Sequence, residues 1–439
     1  MSYPTAALRV ITASAACAGG MAVLLGYEHG RIGLGGVALA LSWLAFCLVP
    51  WAVLPVSIIG GVIAAGLLGQ TDVRAIVIAH GLLLGMGCLA VVTRRLVSAD
   101  YRDRLSHPRY QLVMLVVLMV AAIGALYGLA AGNAPKDVLV ALYLIAVIPI
   151  YFLIAMQTLM RANWRRYAGI LYVGSISVLT ALEFGTPGRH GGLLALLPVP
   201  ALIVLTGRYR GWRRFGLAVL AAILSADVVL ASHRSMWLAG GVAAAILLVR
   251  GDRTVRHGLL AVGAAGAALA GLTLLAGGIN QRAVAVGAAV ARSAGYRLPE
   301  SGIGWDVFVS QPLFGAGLGQ TTPRVYLPGF VVADVGPVYH AFYVLLLANL
   351  GIVGLAVVIL PLARLSWRGL AERDSIALPF AALTVGFLAA ALVSGPTDGH
   401  WELGLLPALT LLSGRPVAAG QSPAREVSPR PAELAGARS

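Results

Sequence analysis

The stretch GLLAVGAAGAALAGLTLLAG, residues 258–277, contains no charged side chain. An α-helix of about 20 residues, rising about 1.5 Å per residue, crosses a bilayer hydrocarbon core about 30 Å thick. The whole chain shares this character: of its 439 residues, 59% are hydrophobic and 11% are charged, and the mean hydropathy is +0.87. A soluble protein of this length has too little interior to bury so much apolar surface. The sequence therefore predicts an integral membrane protein that crosses the bilayer many times.

About fourteen apolar stretches are candidate spans, or about twelve if two of the closely spaced first four are re-entrant or merged. They cover residues 7–27, 32–50, 53–69, 75–93, 110–131, 137–158, 168–184, 191–206, 215–231, 236–249, 258–277, 341–363, 376–394 and 402–413. The predicted fold class is all-α, a polytopic transmembrane bundle of about 12–14 spans. Residues 1–214 form N-terminal membrane helices, residues 215–413 form a second membrane region, and the Pro-, Ser-, Ala- and Arg-rich tail, residues 414–439, is predicted to be disordered.

Basic side chains set the predicted orientation. The formal net charge is +15, and the arginines concentrate in alternate loops, at residues 94–109, 161–166, 208–214, 250–256 and 364–373. Cytoplasmic loops collect Lys and Arg, so this set predicts a multi-pass protein of the inner or plasma membrane with both termini in the cytoplasm. Because the charges form short clusters between apolar spans and not one patch, nucleic acid is not expected as a partner.

The longest loop, residues 278–339, is placed outside the cell by the span count. Loops of this length in compact proteins are usually functional. An amphipathic stretch, Asn280 to Arg292, is expected along the membrane surface. A short helix is expected around Trp305–Val309, ending before Gln311 and Pro312 because proline disfavours helix in the preceding residue.

The hexapeptide Ser232-His233-Arg234-Ser235-Met236-Trp237 joins two spans on the outer side. One interpretation is a membrane-boundary anchor, in which Arg234 extends to water and Trp237 lies in the interfacial belt. The other is a functional site, since Asp227 lies seven residues earlier, on the same face if the helix continues. An acid inside a span is costly and usually has a partner or a function.

Other outer-side residues also have two interpretations each. The glycines of Gln311-Pro312-Leu313-Phe314-Gly315-Ala316-Gly317-Leu318-Gly319 form either a tight turn or a close backbone approach, and no strand precedes them as a phosphate-binding fingerprint requires. His340 is either a polar interfacial residue or a general base. Four loop arginines are either solvated or able to bind a diphosphate: Arg282, Arg292, Arg297 and Arg324.

Four further polar residues lie close to or within apolar stretches. Asp398, His400 and Glu402 precede or begin the last span and are interpreted as a water-exposed loop. His80 lies in mid-span and is interpreted as a core histidine whose hydrogen bonds are satisfied.

The order of the outer-side features resembles the bacterial O-antigen ligase and O-antigen polymerase family, which are multi-span glycosyltransferases of the GT-C type. The matching residues, within 215–363, are Ser232-His233-Arg234-Ser235, Trp305, the Pro312-x-x-Gly315-x-Gly317 turn, and His340 followed by Gly351 and Gly354. Two residues depart from the pattern: Ala341 stands where Asn, Ser or Gln is common, and Arg297 is farther from Trp305 than usual. Polymerase-like or divergent members therefore match as well as ligases do.

The resemblance implies transfer of a glycan from a polyprenyl-diphosphate carrier to an acceptor hydroxyl on the extracytoplasmic face, without metal or cofactor and with inversion. The partners it implies are the lipid-linked donor, a glycan or glycolipid acceptor and the bilayer. His340 and Arg234 would be catalytic, and the implied substrate-binding residues are Arg297, Trp305, Arg292, Arg324, Gly315 and Gly317. Two rivals remain open: a transporter or flippase of lipid-linked glycans, and a cell-wall glycan polymerase in which Asp398 or Glu402 takes the main role.

Overall fold

The computed structural model describes residues 32–58, 73–97, 107–159, 195–230, 234–275, 299–327, 330–335, 339, 341–371, 377–394 and 400–413. The predicted spans at 7–27 and 168–184, the amphipathic stretch at 280–292 and the tail at 414–439 lie outside these residues. His340, Arg282, Arg292, Arg297 and Asp398 also lie outside them.

Helices dominate the described part of the chain. They are α1 (Ile32–Leu48), α2 (Val73–Val97), α3 (Pro108–Ala130), α4 (Pro135–Thr158), α5 (Val199–Arg208), α6 (Gly211–Leu230), α7 (Arg234–Arg250), α8 (Arg253–Leu275), α9 (Phe342–Ala371), α10 (Ala377–Ala390) and α11 (Glu402–Ser413). A 3₁₀ turn, Pro50–Ala52, follows α1. Each of the eleven helices overlaps a predicted apolar stretch, which confirms the apolar helices of the sequence analysis.

Four segments among the described residues are long and apolar enough to cross a membrane: His80–Val97, Pro108–Ala130, Pro135–Thr158 and Phe342–Ala371. The outward faces of these helices are also apolar. On α3, Leu112 is 61% exposed and Leu126 is 67% exposed, whereas Met114 and Ala121 are buried. Such a surface is costly in water and is solvated well by lipid. The structure supports a membrane protein, and the number of 12–14 spans stays a prediction.

The helices form two packed groups. In one, α4 lies between α3, α2 and α11, and α9 packs on α3, α10 and α11. In the other, α5, α6 and α8 pack against each other. Helix α7 lies along α10 and touches α8, so it joins the two groups.

Arginines link several helix termini at one end of the bundle. Arg368, near the end of α9, donates from Nη1 to the Tyr110 hydroxyl at the start of α3 (3.2 Å). Arg250, the last residue of α7, donates from Nη2 to the carbonyl of Leu370 (3.4 Å). Because α3, α7 and α9 meet here, we call this the arginine end. By the positive-inside rule it is the expected cytoplasmic side.

The long loop contains a strand pair that was not expected. Strand β1 (Thr322–Leu327) pairs antiparallel with β2 (Phe330–Val335), and Leu327 faces Phe330. The hairpin is an addition to the predicted all-α fold, and two runs rich in Val, Tyr and Phe separated by two residues favour it. A helix over residues 299–310 confirms the short helix predicted around Trp305 and its end before Gln311 and Pro312; we call it the loop helix.

Candidate functional site

The start of α9 is anchored to the turn that follows α10. The backbone N–H of Phe342 donates to the carbonyls of Ala391 (3.1 Å) and Ser394 (3.2 Å). These two bonds satisfy an N–H of the first helical turn, which has no partner within the helix itself. Phe342 follows His340 by two residues, so the anchor fixes the chain next to the predicted base.

Helix α7, which begins with Arg234, runs antiparallel to α10. Its last residue, Arg250, bonds to the chain that leads into α10, whereas Ala239 meets Gly386 near the opposite end of α10. Arg234 precedes Ala239 by five residues, and Ala391 follows Gly386 by five. At a rise of about 1.5 Å per residue, Arg234 and Ala391 each lie about 7.5 Å beyond the contact between Ala239 and Gly386, on the side away from the arginine end. The backbone of Arg234 is thus level with the anchor of α9, and its side chain is not described.

A tryptophan side chain of α7 bonds to the end of α6. The indole Nε1 of Trp237 donates to the carbonyl of Val228 (3.0 Å), one of the last carbonyls of α6. Trp237 is 38% exposed, so it caps a helix end in addition to any interfacial role. Helix α6 is described to Leu230 and α7 from Arg234, and residues 231–233 lie outside the described part of the chain, so the face shared by Asp227 and Arg234 stays a prediction. One carboxylate oxygen of Asp227, Oδ2, is buried without a hydrogen bond among the described residues.

The loop helix packs beside the residue that precedes His340. Its Gly304 lies against the ring of Tyr339 and against Val344 of α9. The neighbouring Trp305 is 51% exposed, and its ring pairs with that of Phe308 at a centroid distance of 5.1 Å. The fold therefore brings the segment of Trp305 to the segment of His340. Burial, with a smaller contribution from the Glu300 carboxylate, raises the pKa of Tyr339 to about 12.

The glycines between the loop helix and β1 cross a break in α9. Gly351 has φ 64° and ψ −167°, a conformation that is essentially restricted to glycine. The break leaves two carbonyls before Gly351 and two N–H groups after it available to other parts of the chain. Residues 312–317, which we call the glycine segment, form hydrogen bonds to all four of these groups. Ala316 and Gly317 donate to the carbonyls of Ala348 (2.8 Å) and Asn349 (3.1 Å). Pro312 and Leu313 accept from the N–H groups of Ile352 (2.9 Å) and Val353 (3.2 Å).

Close packing explains why glycines occupy this segment. A Cβ added at Gly315 would lie 2.5 Å from the carbonyl carbon of Asn349, and one added at Gly317 would lie 2.7 Å from Cα of Gly128 on α3. Both residues have positive φ, 69° and 82°. The Gly315 N–H donates to Gln311 and the Gly317 N–H to Asn349, so neither amide is free in this structure. Their predicted contact with substrate stays a prediction, and their packing role accounts for the motif.

The pair His400 and Glu402 lies inside the protein, and the interpretation of this segment as a water-exposed loop is wrong for both residues. Their side chains are 7% and 2% exposed. His400 Nδ1 lies 2.6 Å from Glu402 Oε1, and the imidazole stands edge to face on Phe342 at a centroid distance of 4.8 Å. The remaining polar atoms, His400 Nε2 and Glu402 Oε2, are buried without a hydrogen bond among the described residues. The sequence did contain one indication of this burial, because Glu402 is the first residue of the apolar run 402–413.

A second buried histidine lies near this pair. His80 of α2 bonds through Nε2 to the Tyr151 hydroxyl (2.8 Å) and through Nδ1 to the Tyr143 hydroxyl, both on α4. Both ring nitrogens have partners, which confirms the interpretation of a satisfied core histidine. Tyr151 also packs on Trp401 (5.4 Å between centroids) and lies close to Glu402.

No protein-family model, curated protein or solved structure matches this chain. The family resemblance noted in the sequence therefore stays a prediction. So do the roles of Arg234, His340, Arg292, Arg297 and Arg324; the last lies in β1 with a side chain that the structure does not describe.

Proposed function

We propose that this protein is a membrane glycosyltransferase that moves a glycan from a polyprenyl-diphosphate carrier to an acceptor hydroxyl on the extracytoplasmic face, as an O-antigen ligase or polysaccharide polymerase does. The observation that carries the proposal is the placement of two helix starts. Arg234 begins α7 and His340 precedes α9 by two residues, and α10, with the turn after it, holds both starts at the same level, away from the arginine end.

The start of α7 suits the leaving group. The N-terminus of a helix carries partial positive charge from its unpaired N–H groups and favours anions. Arg234 adds a guanidinium there, whose planar fork matches phosphate oxygens. As the bond between the anomeric carbon and the diphosphate oxygen breaks, its electron pair leaves with the diphosphate. A cation near the leaving group stabilises the developing charge.

The acceptor side of the reaction needs a base. The acceptor oxygen forms the new bond to the anomeric carbon and loses its proton, which His340 takes as a neutral imidazole. Trp305, half exposed on the loop helix that packs beside Tyr339, offers an aromatic face to the donor at the membrane boundary. A displacement of this kind inverts the anomeric centre. The lipid tail of the donor stays in the bilayer while the sugar is in water.

The alternative is a transporter or flippase of lipid-linked glycans. Broken helices and buried ionisable groups are features of such proteins, and both occur here, at Gly351 and at Glu402. The break is, however, bridged by the glycine segment, which forms four backbone hydrogen bonds to α9 and packs closely against it. We therefore prefer glycan transfer to transport as the proposed function.

A reconstituted transfer assay tests the proposal. The full-length protein in lipid vesicles receives a polyprenyl-diphosphate glycan and an acceptor, and labelled product is counted. Arg234→Ala and His340→Ala should each lower transfer by about 100-fold or more, the usual contribution of one transition-state donor or one base. Arg250→Ala, at the other end of the same helix, is the matched control and should keep wild-type transfer. Full transfer by both site variants at normal expression would show that the assigned mechanism is wrong; flipping of the lipid without transfer would favour the transporter.

A further inference from the structure

Arginines at the arginine end of the bundle differ in what their guanidinium groups contact. Some are engaged by the protein itself, as Arg368 is by the Tyr110 hydroxyl and Arg250 by the Leu370 carbonyl. These contacts tie helix ends together. Others are exposed and form no hydrogen bond or ion pair with another described residue, among them Arg208, Arg210, Arg213 and Arg253. The protein's own packing does not account for this second set.

The ends of α5, α6 and α8 meet where these four arginines lie. Helix α8 begins at Arg253, directly after α7 has ended at the arginine end. Gly207, next to the last residue of α5, lies against the carbonyl of Thr254 in the first turn of α8, and a Cβ there would collide with it. In the first turn of α6, Arg214 donates from Nη2 to the His257 carbonyl (3.4 Å). Close helix packing therefore concentrates the arginines of three helix ends on one surface.

The charge of this surface is strongly positive. Residues 208–215 and 252–257, which we call the basic–aromatic surface, contain six arginines and one acidic residue, Asp252, a formal net charge of +5. Oδ1 of Asp252 accepts from the Val255 N–H (2.8 Å), so this carboxylate caps the start of α8. Like charges held close together repel, and more strongly at a membrane boundary than in bulk water, because the effective dielectric constant is lower. Such a surface favours an anionic partner.

The first turn of α6 adds two stacked aromatic rings to the surface. Trp212 is 82% exposed and Phe215 is 57% exposed, and their ring centroids are 5.2 Å apart with 22° between the planes. Aromatic rings of this kind are enriched at the headgroup level of a bilayer. A guanidinium fork matches phosphate oxygens. Arginines beside exposed rings therefore fit a ligand in which a phosphate adjoins an apolar part.

We propose that the basic–aromatic surface binds anionic phospholipids of the leaflet at the arginine end. Position selects this partner: the predicted spans 215–231 and 258–277 leave the bilayer at this surface, so its rings lie at headgroup level. Arg210 and Arg213 contact the phosphate, and Trp212 lies against the glycerol and the upper acyl chains. Clusters of four to eight basic residues next to a membrane span are typical of anionic-lipid recognition. The inference does not depend on the proposed glycan transfer.

Native mass spectrometry of the full-length protein in a neutral detergent measures this binding directly. The protein is titrated with phosphatidylglycerol or with phosphatidylcholine of the same acyl chains, and phosphatidylglycerol should bind more tightly. The double variant Arg210→Gln with Arg213→Gln should weaken phosphatidylglycerol binding by about 25-fold, because each arginine near an anionic surface contributes about 5-fold. Phosphatidylcholine binding should not change.

Matched variants separate this surface from the general positive charge of the arginine end. Arg109→Gln with Arg364→Gln removes two exposed arginines from the same end but outside the surface, and should keep phosphatidylglycerol binding within about 2-fold of wild type. Trp212→Ala should weaken binding by about 5-fold. Trp367→Ala is its control, since Trp367 is 72% exposed near the end of α9 and should have no effect.

Three results would overturn the proposal. Equal weakening by the two double variants would show that only the overall charge of this end matters. Displacement of phosphatidylglycerol by millimolar glycerol phosphate would show a phosphate site that does not require a lipid. Equal binding of both phospholipids, together with arginine-dependent capture of single-stranded DNA or polyglutamate, would identify an acidic macromolecule as the partner instead. Thermal unfolding checks that every variant is folded, as expected for exposed side chains.

Discussion

Gly351 holds the conformation on which the outer part of α9 depends, and Gly351→Ala tests that dependence. At φ 64° and ψ −167° an alanine Cβ clashes with its own backbone, a strain of about 1–3 kcal/mol. The new Cβ would also lie 2.5 Å from the N–H nitrogen of Phe314 in the glycine segment. The clash cannot be relieved by a side-chain rotation, because the atoms it meets are backbone.

The energetic cost follows from the bonds across the break. Four backbone hydrogen bonds join the glycine segment to α9, and each contributes about 0.5–1.5 kcal/mol net. If the clash separates the two chains enough to lose two of them, the total with strain is about 4 kcal/mol. For a chain of 439 residues, with an unfolding entropy of about 2.1 cal/mol/K per residue, that corresponds to a fall in Tm of roughly 4 °C.

The assay is thermal unfolding of the detergent-purified protein at one fixed scan rate, because unfolding of membrane proteins is often irreversible. Gly85→Ala is the control: Gly85 lies inside α2, and a Cβ there meets nothing within 4 Å. It should be neutral or slightly stabilising, since alanine favours helix over glycine. If Gly351→Ala melts within about 1 °C of that control, a shift equivalent to about 1 kcal/mol, the role given to the break is wrong.

Two further predictions concern buried polar groups. Tyr339→Phe should keep or raise stability at neutral pH, because the Tyr339 hydroxyl is buried and has no hydrogen-bond partner among the described residues. Since the folded pKa of about 12 exceeds the unfolded value of about 10, wild-type stability should be complete below pH 10 and fall from there towards pH 12, and the variant should lose that fall in chemical-denaturation curves. Gln157 donates to Gln111 at 2.6 Å between α3 and α4, so Gln157→Leu should lower the free energy of unfolding by about 0.5–1.5 kcal/mol through loss of this hydrogen bond. Chemical-denaturation curves identical to those of wild type would contradict this.

Local signals allowed much of the helical architecture to be predicted. Apolar runs longer than a soluble strand or helix requires mark the helices, and Pro312 marks the end of the loop helix. The hairpin also had a local signal, two β-branched runs separated by Pro328 and Gly329, which the expectation of an all-helical protein outweighed. His80 was interpreted correctly because a histidine in mid-span needs partners, and tyrosines were available on another apolar stretch.

What the sequence could not provide are the contacts between distant segments. The bonds from Ala316 and Gly317 to α9 join residues more than thirty positions apart, and nothing in a glycine-rich turn specifies which backbone it approaches. The burial of His400 and Glu402 likewise depends on Phe342 and Tyr151, which belong to other helices. A polar segment before an apolar run has the same local pattern whether it faces water or protein.

Contacts at both ends of residues 342–350 explain the spacing between His340 and Gly351 in physical terms. Residues 342–350 form a short helix fixed at both ends, by the Phe342 N–H to the turn after α10 and by the Ala348 and Asn349 carbonyls to the glycine segment. A helix of about nine residues held this way cannot slide or rotate independently of α3 and α10. Whatever chemistry His340 performs, it is attached to the start of a rigid element, as an acid–base group placed to within a fraction of an ångström must be. The glycine motif and the predicted base are therefore linked through one helix: the glycine segment holds residues 342–350, and this helix begins two residues after His340.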